Sequence, residues 1–255
     1  MRKPIFPIVF MVSLIVLAAC ASTGSSGGEI TGKVWVLDSL NGNPLEAGSE
    51  LTAEFTNDGK VAGSAGCNRY SGTYKISGSE IQISAPMAST MMACPQPIMD
   101  QENAYFQALA AAKSFAVEGD QLTLKDSNGA VMASYKAQSQ DLSGSSWLVT
   151  SYNNGNQAVV SVTIGTAITA DFGKDGNLSG NAGCNNYTGS YKVDGDMITI
   201  GSLASTQMFC NEPAGVMDQE AQYLAALQSA ATYRIEGSRL ELRTADDAMA
   251  VNFSR

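Results

Sequence analysis

The hexapeptide Gly63-Ser64-Ala65-Gly66-Cys67-Asn68 returns later in the chain as Gly180-Asn181-Ala182-Gly183-Cys184-Asn185. Both copies run on into Tyr-x-Gly-x-Tyr-Lys, at Tyr70 to Lys75 and at Tyr187 to Lys192. The offset, 184 − 67 = 117 residues, is the length of a small domain. The chain is therefore one fold written twice, and each copy is long enough to bury its own core. The two copies supply an internal comparison for each assignment.

Within each copy the dominant hydrophobic period is two. Leu51, Ala53 and Phe55 alternate with polar neighbours, as do Ile81 and Ile83, Phe115 and Val117, and Leu122 and Leu124. The second copy matches with Ile168, Ala170 and Phe172, then Ile198 and Ile200, Tyr233 and Ile235, and Leu240 and Leu242. Such short alternating runs predict half-buried strands. Turn signals separate them: Asp58-Gly59, Ser77-Gly78, Glu118-Gly119 and Asn128-Gly129, then Asp175-Gly176, Asp194-Gly195 and Glu236-Gly237. Lys125 to Gly129 has the beginnings of a calcium loop but lacks the distal glutamate, and reads as a hairpin turn. One stretch per copy has helical period instead. Met99, Glu102, Phe106 and Leu109 form its stripe in the first, and Met217, Glu220, Leu224 and Leu227 in the second. Pro97 and Pro213 suit the start of those helices, and Asp100 and Asp218 suit their positive ends. The expected fold class is mainly β: two tandem small antiparallel β-barrels, each with one packed α-helix. About seven or eight hairpin-linked strands commonly close into such a barrel, which removes exposed edges.

The N-terminal residues read as a targeting segment. Arg2 and Lys3 precede an apolar run, Ile5 to Leu17, that ends in small residues. This predicts a signal peptide over residues 1–19. Leu17-Ala18-Ala19-Cys20 resembles a bacterial lipobox, which implies lipidation of Cys20 and a durable membrane anchor. Ala21 stands where an aspartate retains such proteins at the inner membrane of enteric bacteria, so the expected location is the outer membrane, facing the periplasm. The expected layout is a lipidated Cys20 with a flexible tether over 20–32, a first domain over 33–137, a polar linker over 138–146, and a second domain over 147–255.

Composition removes several functions. There are 15 basic and 24 acidic side chains, and loss of Arg2 and Lys3 leaves the mature chain near −11. Nucleic acid is not an expected partner, because its recognition needs a clustered positive footprint. The chain has no histidine. That removes the usual general base and the commonest metal ligand, so no enzyme activity and no cofactor is expected.

The order Trp, then Phe and Gly, then Gly-x-x-Gly-Cys-Asn-x-Tyr-x-Gly-x-Tyr, then Thr-x-x-x-Cys, then a helix with Glu, resembles the META domain. The first copy supplies Trp35, Phe55, Gly66-Cys67-Asn68, Thr90 to Cys94 and Glu102. The second supplies Trp147, Phe172, Gly183-Cys184-Asn185, Thr206 to Cys210 and Glu220. That family includes bacterial heat-shock proteins linked to novobiocin resistance and kinetoplastid proteins linked to virulence. The resemblance implies a compact antiparallel barrel with a packed helix and no agreed enzymatic activity.

Four cysteines remain beyond Cys20. In an exported chain they read as disulfides Cys67–Cys94 and Cys184–Cys210, one per repeat, at separations of 94 − 67 = 27 and 210 − 184 = 26. A thiolate metal site and a catalytic thiol are the rival readings, and neither has histidine beside it. Glu102 and Glu220 lie on apolar helix stripes, where an unpaired carboxylate is costly. They are either pocket groups or carboxylates bonded to neighbours such as Asn68 and Thr90, or Asn185 and Thr206 in the second copy. Tyr70, Tyr74, Tyr187 and Tyr191 read as core residues with a hydroxyl handle. Met87, Met91, Met92 and Met99 cluster near Cys94, yet only Met92 and Met99 recur, as Met208 and Met217. Adaptable core filling is the preferred role for them, and copper handling by the first repeat is the alternative.

The function expected from the sequence is that of a lipid-anchored cell-envelope protein. It would be a non-enzymatic binding or structural module supporting envelope integrity or stress tolerance. Its partners would be the membrane, through the anchor, and an envelope protein, a peptide or a small apolar ligand. The alternative is an inhibitor or chaperone-like factor for exported proteins.

Overall fold

A computed structural model of the chain describes residues 30–255. The expected signal peptide, Cys20 and the tether as far as residue 29 lie outside the described residues.

The first repeat runs β1 (Val34–Leu40), β2 (Thr52–Phe55), β3 (Lys60–Ser64), β4 (Arg69–Ser77), β5 (Glu80–Ile83), β6 (Ala88–Ser89), α1 (Gln96–Ala111), β7 (Ser114–Glu118), β8 (Gln121–Lys125) and β9 (Val131–Ala137). The second runs β10 (Ser145–Asn153), β11 (Val159–Ser161), β12 (Thr169–Phe172), β13 (Asn177–Asn181), β14 (Asn186–Asp194), β15 (Met197–Ile200), β16 (Ala204–Ser205), α2 (Val216–Gln228), β17 (Thr232–Glu236), β18 (Arg239–Arg243) and β19 (Met249–Ser254).

Each repeat is a closed antiparallel barrel of eight strands. In the first the order is β3-β2-β1-β9-β8-β7-β5-β4, and pairing of β3 with β4 closes the ring. In the second the order is β10-β12-β13-β14-β15-β17-β18-β19, closed by β10 with β19. The short strands β6, β11 and β16 hang on β4, β10 and β14. Closure leaves no long open edge on either ring, which is why such short strands are stable here.

The alternation read from the sequence is the inward face. Leu51, Ala53, Phe55, Leu122 and Leu124 are fully buried, as are Ile168, Ala170, Leu240 and Leu242. Trp35, Tyr105 and Tyr135 join the first of these groups in one continuous core. Trp147, Phe172, Tyr223 and Phe253 do the same in the second. Each fully buried large apolar side chain contributes about 1.5–3 kcal/mol, so the filled interiors supply most of the stabilisation. Lys125 to Gly129 is a hairpin turn: Asp126 Oδ1 accepts from the amides of Asn128 and Ala130, each at 2.8 Å.

The helices differ in phase from the predicted stripes. In α1 the buried residues are Gln101, Glu102, Tyr105, Ala108 and Leu109. Met99 and Phe106 are only partly covered. In α2 Val216, Gln219, Glu220, Tyr223, Ala226 and Leu227 are buried. Each helix is turned so that a tyrosine points into the barrel, where its hydroxyl finds polar partners. Asp100 lies beyond the first turn of α1 and accepts from Gln96 Nε2 at 2.8 Å, whereas Asp218 does occupy the first turn of α2.

Candidate functional site

The repeated Gly-x-x-Gly-Cys-Asn is a corner between β3 and β4, and between β13 and β14. Each glycine has its own cause. A Cβ at Gly63 would collide with the carbonyl oxygen of Thr52, and one at Gly180 with that of Thr169. Gly66 and Gly183 have φ of 100° and 112°, a region that side chains rarely enter. The chain thus turns tightly enough to place the asparagine amide against the helix.

Asn68 is the hub of that corner. Its backbone amide donates to Glu102 Oε2 at 2.8 Å and its Nδ2 donates to Glu102 Oε1 at 2.9 Å. Its Oδ1 accepts from Thr90 Oγ1 at 2.8 Å and from the Met92 amide at 2.7 Å. Asn185 repeats the pattern. It donates to Glu220 at 2.8 and 3.0 Å and accepts from Thr206 Oγ1 at 2.6 Å and from the Met208 amide at 2.7 Å. Glu102 is 5% exposed and Glu220 6%. Both carboxylates are therefore buried with two donors each, and neither opens onto a pocket in this arrangement. The six polar residues singled out from the sequence are brought together, three in each barrel.

Disulfides Cys67–Cys94 and Cys184–Cys210 span the same corners. With the asparagine bonds they fix the loop that leads into each helix. The outer side of that loop is apolar. Met91 is 97% exposed, Met92 56%, Met208 55% and Phe209 78%. Core filling was the expectation for Met91 and Met92, and the structure corrects it. Asn68 grips the backbone of Met92 from inside, which turns the neighbouring side chains outward. Met87 does pack on the core, over Gly72. Among the described residues, no group of three or more His, Cys, Asp or Glu side chains is arranged to hold a metal.

Two sets of residues were not legible as site residues. Gln101 accepts from the Glu46 amide at 2.6 Å and donates to Ser49 Oγ at 2.7 Å. Gln219 does the same for Thr163 and Thr166 at 2.7 and 3.0 Å. Each ties the helix to the loop before β2 or β12. The other set is the phenols of Tyr105, Tyr135 and Tyr223, which meet Tyr70 and Tyr187, the tyrosines that the sequence does place in the core with a hydroxyl handle. Tyr70 and Tyr105 hydroxyls lie 2.9 Å apart, Tyr135 donates to Tyr105 at 3.2 Å, and Tyr70 also donates to the Thr52 carbonyl at 3.0 Å. Tyr187 and Tyr223 form the matching pair at 2.8 Å. Burial pushes all of these phenols well above their ordinary range, so they stay neutral. For Tyr105 and Tyr223, the i+3 spacing from Glu102 and Glu220 was the signal available in the sequence.

A cleft of about 960 Å³ lies at the seam between the barrels, bordered by Lys33, Glu54, Gln140, Arg234 and Arg243. No helix among the described residues is long and apolar enough to cross a membrane.

A closed eight-stranded barrel with one packed helix, built twice on a Gly-Cys-Asn corner, defines a tandem small-barrel repeat protein. The chain belongs to the META domain family, whose profile matches residues 28–139 and 140–255. No curated protein matches it. Three solved structures are similar. One is a protein known from an NMR structure, 26% identical over 43% of this chain and 92% of that one, with a TM-score of 0.36. A second NMR structure, of a protein from Burkholderia xenovorans, is 21% identical over 54% of this chain and 100% of that one, with a TM-score of 0.39. The third is the crystal structure of a DUF4847 family protein from Bacteroides vulgatus ATCC 8482. It is 16% identical over 44% of this chain and 96% of that one, with a TM-score of 0.35. None of these descriptions names an activity.

Proposed function

We propose that the protein is a lipid-anchored module of the cell envelope that works by binding rather than by catalysis. Cys20 would carry the anchor, and the outer membrane facing the periplasm would be its location. The single observation that carries the binding reading is the apolar loop beside each disulfide. Met91 and Met92 in one barrel, and Met208 and Phe209 in the other, are exposed while their backbone is clamped. Exposed apolar side chains on a clamped backbone suit a binding surface, because little backbone entropy is lost on contact. The barrel interiors are filled by their own side chains, which favours an outer-surface partner over a ligand held within a barrel. Two disulfides in a chain of this kind fit an oxidising compartment. Envelope integrity or stress tolerance is the setting this reading supports.

A second reading is a chaperone-like or inhibitory factor for exported proteins. The methionines favour it, since thioether side chains adapt to varied apolar partners. One experiment addresses the binding reading. A photoreactive amino acid is placed at Met92, at Phe209 or at the exposed barrel-wall residue Lys192 in intact cells. Discrete adducts at the two loops and none at Lys192 are expected. Equal labelling at all three positions would overturn the assignment of the loops as the binding surface.

A further inference from the structure

The two barrels meet through a buried carboxylate. Glu236, at the end of β17, is 8% exposed, although its sequence position is a hairpin turn. Its Oε1 accepts from Thr52 Oγ1 at 2.6 Å, and its Oε2 accepts from Arg69 Nη2 at 3.0 Å. Both partners belong to the other barrel. Arg234, on the same strand as Glu236, reaches Glu54 at 2.5 Å and Glu236 at 3.6 Å. Around this centre the backbone of the second barrel is bound by side chains that precede it in the chain. Ile235 exchanges two hydrogen bonds of 2.8 Å with the Gln140 side chain. The Gly237 amide donates to Gln138 Oε1 at 3.1 Å, and the Ser238 amide donates to Glu50 Oε2 at 2.7 Å.

Comparison of the repeats shows that this contact is not a by-product of the fold. The residue matching Arg69 is Asn186, and the residue matching Arg234 is Ala116. Glu118 matches Glu236 and is exposed, and Asp171, opposite Glu54 in the repeat, is exposed too. The arginines that engage Glu236 and Glu54 thus stand only on the faces that meet. The arginine pair is missing from the two outward-facing equivalents, so a further copy cannot add by the same contact and the head-to-tail series closes at two.

We propose that Glu236 is a latch that holds the two barrels as one body and releases them on acidification. The groups that face it are Thr52 and Glu54 from β2, Arg69 from β4 and Arg234 from its own strand, with Glu50 beside the adjoining Ser238. The neutral Tyr70 phenol lies near enough to feel its charge. Burial alone raises the carboxyl, but the Thr52 hydroxyl, Arg69 and Arg234 together outweigh that and hold it below the ordinary glutamate range. A carboxyl depressed in the docked state contributes docking energy above its free value, and that contribution is lost as pH falls through the depressed value. The seam is therefore closed at neutral pH and opens only in acid. Opening uncovers Thr52 and Arg69 and dismantles the seam cleft, while each barrel keeps its own core and disulfide.

Small-angle X-ray scattering of the full chain tests this. At neutral pH the wild type is expected to be compact, and as pH is taken down to about 2, well below the ordinary carboxylate range, it should lengthen, by on the order of 3 Å in radius of gyration for two separated barrels. Glu236→Gln imitates the protonated latch and should be lengthened already at neutral pH, with near-ultraviolet circular dichroism showing both barrels folded. Should acid unfold the wild-type barrels, the neutral-pH comparison with Glu236→Gln still decides. A variant as compact as the wild type at neutral pH overturns the proposal, as does a wild type that stays compact in acid.

Discussion

Asn68 turns every polar atom of its side chain inward, and so does Asn185. Each joins a helix carboxylate to the loop beside the disulfide through charge-assisted bonds, the stronger kind. Glu102→Gln puts an amide N–H against the Asn68 donors and should cost about 2–3 kcal/mol, the range for an unsatisfied buried partner. Denaturant unfolding checks it, and an unchanged midpoint would mean the carboxylate is not held as described. Gly63→Ala should cost about 1–3 kcal/mol because the Thr52 carbonyl cannot move without breaking the barrel. Ser64→Ala, one residue on, is the matched control. Glu102 was legible in the sequence because a carboxylate on an apolar stripe demands a partner. Glu236 was not. Glu-Gly reads as a turn wherever it occurs, and nothing local says which surface that turn will meet.

At the scale of elements, the strands were legible because a closed barrel buries alternate residues along every strand, and period two survives any register. The helix phase was not. Met99 and Phe106 are as apolar as the true inner face, and what turns α1 is the Tyr105 hydroxyl reaching partners within the barrel. The copies also exchange where that polarity sits. Tyr135 pairs with Leu37 on β1, while Phe253 pairs with Val149 on β10. The second barrel instead has Tyr152 packed edge-on against Tyr223, at 6.4 Å between ring centres. The disulfide belongs at this scale too. Replacing both Cys67 and Cys94 by serine should destabilise the first barrel by about 3–4 kcal/mol in the chain-entropy account of a loop of that length. Urea unfolding followed by a probe in each barrel would show it, and an unshifted first barrel would leave the bridge without a stabilising role.

For the whole molecule, buried phenols make alkali the revealing condition. Tyr70, Tyr105, Tyr135, Tyr187 and Tyr223 are held above their ordinary values chiefly by burial. An unfolded tyrosine ionises near about pH 10. Stability should be complete below that value and should fall as pH rises toward the elevated folded-state values. Phenolate absorbance is expected to lag and then to rise together with loss of the near-ultraviolet dichroism. Ionisation of all nine tyrosines near their ordinary value in intact barrels would contradict the buried cluster. The duplication itself made the two-barrel plan legible, but the seam depends on Arg69 and Arg234, which occur in one copy only. A repeat reveals what its copies share, and their docking rests on what they do not.

Each corner holds an exposed apolar loop rigid from within. Amide hydrogen exchange at Met92 and Met208 tests it most directly, because both amides donate to an asparagine Oδ1 while their side chains face solvent. Both should be strongly protected in the wild type, and Asn68→Ala should abolish protection at Met92 while leaving Met208 slow. Fast exchange at both amides in the wild type would contradict the account.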